Sequence, residues 1–279
     1  MDIAVGIINW NSGHWLKLCI QSIVSTAEPA EIIIVDNAST DRSLEGLQEI
    51  TPSIQLIRNS KNRGFAGGVN QVFAATRSPF VMILNPDVES TPGSIQRLYQ
   101  LLTQEPQAAA AGGHTGPGYP PRKLPTVGSL IRENLGMGRR LPDRGATHPY
   151  QVQQPAAAAF MIRRSAFEKI GGFDESFYPA WYEDVDFCKR LREANWRIYF
   201  DPEAQFVHEG GYSTHVLGPH AFAAAYYRNQ LRYVCKHMSK AAVLAVRLSI
   251  AAGMAGRAIA SPRMAAAYSN VMLGVLGRW

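Results

Sequence analysis

The run FVMILNPDV, residues 80–88, sets the architecture of this chain. Phe80 to Leu84 are five successive apolar residues, which predicts a buried strand. Asn85-Pro86-Asp87 ends it, because proline lacks the N–H that a sheet ladder needs. Asp87 therefore stands at the carboxyl end of a strand, the edge where open α/β sheets bind ligands. A lone carboxylate there suits Mg²⁺ or Mn²⁺ shared with phosphate oxygens, since these hard cations take few protein carboxylates. The same three residues also satisfy a plain Asx-turn.

Outward from this strand, Ile3–Ile8, Ile32–Val35 and Ile54–Ile57 read as three further strands. Helix faces lie between them, carried by Leu16, Ile20 and Ile23, by Leu44, Leu47 and Ile50, and by Val69, Val72 and Phe73. Alternating strands and helices predict a mostly parallel sheet with right-handed crossovers. Farther on, Ala156–Ile162 reads as a strand and Ser165–Ile170 as a short helix ended by Gly171-Gly172. Trp196–Phe200 and Phe206–His208 read as two more strands. From Gly112 to Gln154 the pattern dissolves into glycine, proline and arginine, which predicts a flexible basic loop region over 112–154. There Arg122, Lys123, Arg132, Arg139, Arg140 and Arg144 outnumber Glu133 and Asp143. Such a segment either handles an anionic acceptor or is a solvated surface loop.

The stretch GFDESFYPAWYEDVDFCKRLR, residues 172–192, packs Glu183, Asp184 and Asp186 into four positions where a helix pattern begins. Val185, Cys188 and Leu191 mark its apolar face. A carboxylate at a helix N-terminus is favoured in its ionised form by backbone N–H groups and the macrodipole. Glu183 and Asp184 are thus candidate catalytic residues, with Asp184 accepting a proton from a substrate hydroxyl; a simple capping role competes. Asn9-Trp10-Asn11-Ser12 follows the first strand, and Asp36 to Asp41 follows the second, so both polar groups should share one sheet edge. Asn62 to Asn70 is a glycine-rich turn entering a helix, where backbone can approach a ligand and Arg63 can offset phosphate charge. It is neither the dinucleotide fingerprint nor a P-loop. His208 ends an apolar run and is either structural or a second metal ligand beside Asp87.

The chain has 279 residues, 46% of them hydrophobic, enough to bury a substantial core. Its three cysteines have no metal-site or CxxC spacing, which points to reduced thiols in the cytosol. The N-terminal sequence enters a strand without the pattern of a signal peptide. Residues 221–279 hold eight Lys or Arg and no Asp or Glu, leaving 20 basic and 22 acidic residues in the remainder. The formal charge of +6 thus belongs to the tail. That distribution argues against nucleic acid as a partner and for a membrane surface. Arg228, Arg232, Lys236 and Lys240 recur every four residues, and Ala241–Ala260 is apolar but interrupted by Arg247 and Arg257. The pattern reads as a helix lying in a membrane interface rather than spanning it; packing on the catalytic domain or on a second subunit competes.

Six motifs, VDNASTD (35–41), NRGFAGGVN (62–70), LNPDV (84–88), GGFDESF (171–177), YEDVDFCKR (182–190) and HEGGYS (208–213), occur in order. With them the chain resembles family 2 glycosyltransferases of the GT-A fold, especially bacterial rhamnosyltransferase-like members, over roughly residues 2–235. The resemblance implies an α/β, Rossmann-like GT-A catalytic domain over 1–220 and a C-terminal helical tail over 221–279. It implies inverting transfer of a sugar, by analogy L-rhamnose from dTDP-rhamnose, to a hydroxyl of a glycan or lipid-linked acceptor. The setting would be cell-surface polysaccharide synthesis at the cytoplasmic membrane face. The nucleotide-sugar site would comprise Asn9, Asn11, Asp36, Ser39, Arg63, Gly64 and Asn85. The metal, Mg²⁺ or Mn²⁺, would lie at Asp87 and His208, and Asp184 would be the base. Many members carry a full DxD where this chain has Asn85-Pro86-Asp87. The motifs do not read the sugar, so UDP-galactofuranose or UDP-hexose remain rival donors. A non-catalytic nucleotide-sugar or carbohydrate-binding module is the reading from another class, and a homo-oligomer is left open.

Overall fold

The structure, a computed structural model, describes residues 2–26, 31–51, 53–116, 118–138, 145–210 and 212–279. Arg139, Arg140, Asp143 and Arg144 of the basic segment lie outside them. The chain begins β1 (Ile3–Asn9), α1 (Trp15–Ser25), β2 (Glu31–Asp36), α2 (Leu47–Ile50), β3 (Ile54–Arg58), α3 (Gly64–Ala75) and β4 (Phe80–Leu84). These four strands are parallel, in the order β3-β2-β1-β4. In register Asn9 faces Asp36 and Ile7 faces Leu84, so their carboxyl ends form one edge. The expected helix through Leu44 is only the single turn of α2, because Gly46 at φ 68° interrupts it.

The second half adds β5 (Val88–Ser90), α4 (Ser94–Gln104), β6 (Ala108–His114), α5 (Val127–Asn134), β7 (Tyr150–Val152), β8 (Ala159–Arg163), α6 (Arg164–Lys169), α7 (Glu183–Glu193) and β9 (Arg197–His208). Strand β8 enters antiparallel between β4 and β6, and β9 runs parallel to β6. The two strands expected at 196–200 and 206–208 are one. β9 shifts register near Pro202, from Gly113 opposite Asp201 to His114 opposite Gln205, and then pairs with β5. Nor is 112–154 a loop throughout. A capping box between Thr126 and Ser129 starts α5, whose Leu130 and Asn134 are buried. The apolar partners of α5 come from the far C-terminus, so its local pattern is weak.

Alternation along β1, β2 and β4 splits the core into two layers. Ile3, Val5, Ile7, Ile32, Ile34, Met82 and Leu84 face α1 and α4, while Ala4, Ile8, Ile33, Val35, Val81 and Ile83 face α3 and α7. The glycines of 64–68 serve packing here. A Cβ on Gly68 would lie 2.8 Å from Ile8, so only glycine lets α3 sit this close to β1.

Helices α8 (Tyr212–Leu217), α9 (Pro219–His237), α10 (Lys240–Ala260) and α11 (Ala265–Leu273) follow, and α9, α10 and α11 share a third core with Leu130, Phe177, Tyr182 and Val185. Helix α9 is docked on α7 through the fully buried carboxylate of Asp186. Its oxygens accept from Arg190 Nε at 2.7 Å and lie 2.8 Å from Lys236 Nζ and 2.7 Å from His237 Nε2. Lys236 also reaches Asp174 at 2.6 Å, Arg232 donates to the Ser176 carbonyl and Arg228 to that of Tyr178. The basic row read from sequence as meeting a membrane is, in three of its four members, bound to the 174–178 segment. Removing one partner from such a cluster leaves buried charges uncompensated. Asp186→Ala should therefore lower stability by about 3–5 kcal/mol in urea denaturation; a loss under about 1 kcal/mol would contradict this account.

Candidate active site

At one end stands Asp87, carried past β4 by the Asn85-Pro86 turn. Pairing of Val88 with His208 across β5 and β9 sets the histidine beside it, with His208 Nε2 3.4 Å from Asp87 Oδ1. Both side chains are nearly buried. Tyr119 covers the imidazole with ring centroids 4.7 Å apart, and its hydroxyl occupies the space a side chain at Gly210 would need. Among the described residues the Asp87 carboxylate touches no hydrogen-bond donor but His208, and buried His208 Nδ1 has no partner. Buried polar atoms left this way are rare in folded chains. No group of three or more His, Cys, Asp or Glu assembles among the described residues. A hard cation fits these two donors if phosphate and water complete its shell.

At the other end the N-terminus of α7 presents Glu183 and Asp184. Trp181 and Tyr182 precede it with φ of 74° and 73°, a left-handed pair costing about 1–3 kcal/mol each for bulky residues. Buried polar residues of α9 hold them: Asn229 Nδ2 donates to the Ala180 carbonyl at 2.9 Å, and Gln230 Nε2 to the Tyr182 hydroxyl at 2.9 Å. Asp184 is half-buried, accepting from Gln154 Nε2 at 2.9 Å and from the Val185 amide at 2.8 Å. Desolvation raises its pKa, and the Gln154 hydrogen bond, the Val185 amide and the nearby Arg122 charge hold back the rise. The sequence reading expected the helix terminus to govern; burial outweighs it. Glu183 is buried with one oxygen unpartnered, and desolvation plus the Asp184 charge pushes its pKa well up. Two adjacent carboxyls therefore separate into a group favouring its neutral acid and a group with the strengthened basicity a proton acceptor needs.

Along the parallel edge, Asp36 is buried and its carboxylate accepts from Asn9 Nδ2 at 2.8 Å and from the Ser39 amide at 3.2 Å. Asn9 is 0% exposed and also donates to Ser39 and Ser43, so it orients Asp36. Asn11, at φ 50°, accepts from the Thr40 amide at 2.7 Å, and its own amide donates to Ser39 Oγ at 2.9 Å. Arg63 faces a neighbouring depression, paired to Glu175 at 3.1 Å. Gly64 turns toward Pro179, whose carbonyl oxygen would lie 2.7 Å from an added Cβ.

One cavity of ≈ 350 Å³ joins the two ends. Asn85, Asp87 and His208 line one part of it and Glu183, Asp184 and Gln154 another, with Phe65 and Trp181 also in the wall. The model described as glycosyl transferase family 2 matches residues 4–171, more than half of the chain. The chain belongs to glycosyl transferase family 2. A second model, the N-terminal domain of galactosyltransferase, matches residues 146–215. This glycosyltransferase is 29% identical over 241 residues to the N-acetylglucosaminyl-diphospho-decaprenol L-rhamnosyltransferase of Mycobacterium tuberculosis, covering 76% of this chain and 77% of the relative. It is 28% identical over 203 residues to the low-salt glycan biosynthesis hexosyltransferase Agl10 of Haloferax volcanii, covering 71% and 64%. Among solved structures it resembles the mannosyltransferase PcManGT of Pyrobaculum calidifontis in complex with GDP-Man and Mn²⁺. That match has TM-score 0.61 and 17% identity, over 98% of this chain and 80% of that one. The α/β GT-A fold follows.

Three residues lining this cavity were not singled out from sequence. Tyr119 and Gln154 come from the stretch read as loop, and Trp181 from a run without periodicity. Arg122, singled out only as part of the basic segment, joins them because its backbone amide bonds to the Gln154 carbonyl at 2.8 Å. The only local signal was an aromatic and a glutamine amid Gly and Pro. The Gln154 contact has a measurable consequence. A hydrogen bond to the ionised form lowers a carboxyl pKa, so Gln154→Leu should raise that of Asp184 further. NMR titration of carboxyl-labelled aspartate checks this; an unchanged or lowered value would contradict it.

Proposed function

We propose that the cavity transfers a sugar, with inversion, from a nucleotide diphosphate to an acceptor hydroxyl. The observation that supports this is that Asp87, His208 and Asp184 line one cavity. Asp36, oriented by Asn9 and flanked by Asn11 and Ser39, meets the nucleotide at the parallel edge. Asp87 and His208 would hold a divalent cation, Mg²⁺ or Mn²⁺, and Asn85, which lines the same cavity, would meet the diphosphate. Such a cation supplies offsetting charge for the departing diphosphate. The acceptor oxygen bonds to the anomeric carbon as the bond from that carbon to diphosphate oxygen breaks, and Asp184 takes the hydroxyl proton. Glu183, favoured as the neutral acid, keeps a second negative charge away from the incoming hydroxyl. Arg63 is held by Glu175 and reaches the donor only if that exposed pair opens.

The donor we infer is dTDP-rhamnose and the acceptor a glycan or lipid-linked glycan, at the cytoplasmic membrane face. The rhamnosyltransferase relative supports that reading. A galactofuranosyl glycosyltransferase of Leishmania donovani, 25% identical, favours a second, a UDP-sugar donor. We divide the chain into a catalytic domain over 1–220 and a tail over 221–279, with α9 crossing that boundary to buttress the Ala180–Tyr182 turn behind the cavity.

Asp184→Asn should lower turnover by about 10²–10⁴-fold while nucleotide affinity by calorimetry stays the same; near-normal turnover would refute the base assignment. Because the Asp184 carboxyl is raised, the wild-type rate should fall on acidification at a pH above the ordinary carboxylate value of about 4. Asp87→Ala should abolish the part of nucleotide-sugar binding that EDTA removes from the wild type. A thermal-shift panel of dTDP-, UDP- and GDP-sugars with Mg²⁺ or Mn²⁺ identifies the donor; equal response with and without metal would overturn the cation site.

A further inference from the structure

Helix α10 shows two unlike faces. Val246, Ile250 and Met254 are buried in the third core, and Ala242 is buried as well. Leu244, Leu248 and Ile259 are 59%, 55% and 83% exposed, and Ala241, Ala252 and Ala255 are exposed with them. At helical spacing these six fall within an arc of about 80°, so they form one continuous outward stripe without a charge. Leu273 of α11 and Leu276 beyond it are exposed as well. Large apolar side chains gathered in this way mark an interaction surface.

We propose that this stripe seats the enzyme on an anionic lipid bilayer, with α10 lying in the plane of the interface. The helix has 21 residues and is long and apolar enough to cross a membrane. Its inner face is engaged, however. Arg247 donates to the carbonyls of Val275 and Trp279, and Ser249 accepts from Asn134 Nδ2 of α5 at 3.0 Å. A helix committed to protein along one side presents only the other to lipid.

Charge selects among occupants. Residues 221–279 carry eight basic and no acidic side chains, so a second copy laid on the same stripe would bring like charge to like charge. Anionic headgroups are complementary. Arg228, Arg232 and Lys236 are spent on the catalytic domain. Exposed Lys240 and Arg263 lie at the two ends of the stripe, and no ion pair forms at either among the described residues. The inference deepens the membrane-face reading and rests on it for location, not for chemistry.

Flotation of the full chain with vesicles tests it, using phosphatidylcholine alone or mixed in equal parts with phosphatidylglycerol. The wild type should float with the mixed vesicles and far less with phosphatidylcholine. The variant L244Q/L248Q/I259Q should partition roughly tenfold more weakly or worse. K240Q/R263Q should weaken binding and flatten its salt dependence. Nucleotide diphosphate affinity, measured on the same samples, should not change in either variant; its absence in the wild type would fail the transferase reading alone. Wild-type flotation by the triple variant, or no preference for anionic vesicles, would overturn the proposal. So would a dimer in sedimentation velocity that the triple variant dissociates, which would assign the stripe to a second copy.

Discussion

The buried carboxylate of Asp186 is the contact on which the site's geometry turns. It belongs to α7, two residues past Asp184, and its partners are Arg190 one turn on and Lys236 and His237 at the end of α9. A charge this deep is tolerable only when its partners are complete. The cluster therefore fixes α9 against α7, and α9 in turn holds the strained Trp181-Tyr182 turn through Asn229 and Gln230. The orientation of Glu183 and Asp184 toward the cavity is thus borne by a helix whose residues lie about fifty positions downstream.

The site itself works by keeping negative charge apart. Asp87 has few neighbours and a histidine, an arrangement hungry for positive charge. Desolvation raises the pKa of Asp184 and hydrogen bonds from one amide and one glutamine hold back the rise, while Glu183 beside it is driven toward the neutral acid. Burial with like-charge neighbours separates the roles of chemically similar carboxyls. The parallel edge shows a different logic: Asn9, Ser39 and Ser43 surround Asp36 so that its shape is set in advance.

Much of this was readable along the chain. The period-2 and period-3.6 patterns of residues 3–90 marked the parallel half, and proline at position 86 marked where it ends. Asp87, Asp184 and His208 stood out because each follows an apolar run. Asn9 was read as part of the nucleotide-sugar site, and the fold buries it against Asp36, which it orients. The basic row of α9 was legible as a row, but whether it met lipid or protein was not. Residues 112–154 hid a capped helix because α5 draws its apolar partners from α10.

Local chemistry accounts for what the order of residues specified: strand ends, helix starts, glycine contacts and the charge of the tail all depend on near neighbours. Register across β5 and β9, the insertion of β8 between β4 and β6, and the docking of α9 on α7 depend on groups far apart in sequence, from about 50 residues for Asp186 and Lys236 to about 120 for Val88 and His208. Those long-range pairings alone bring His208 to Asp87 and Gln154 to Asp184. They also turn the apolar stripe of α10 outward, because its opposite side is consumed by the third core.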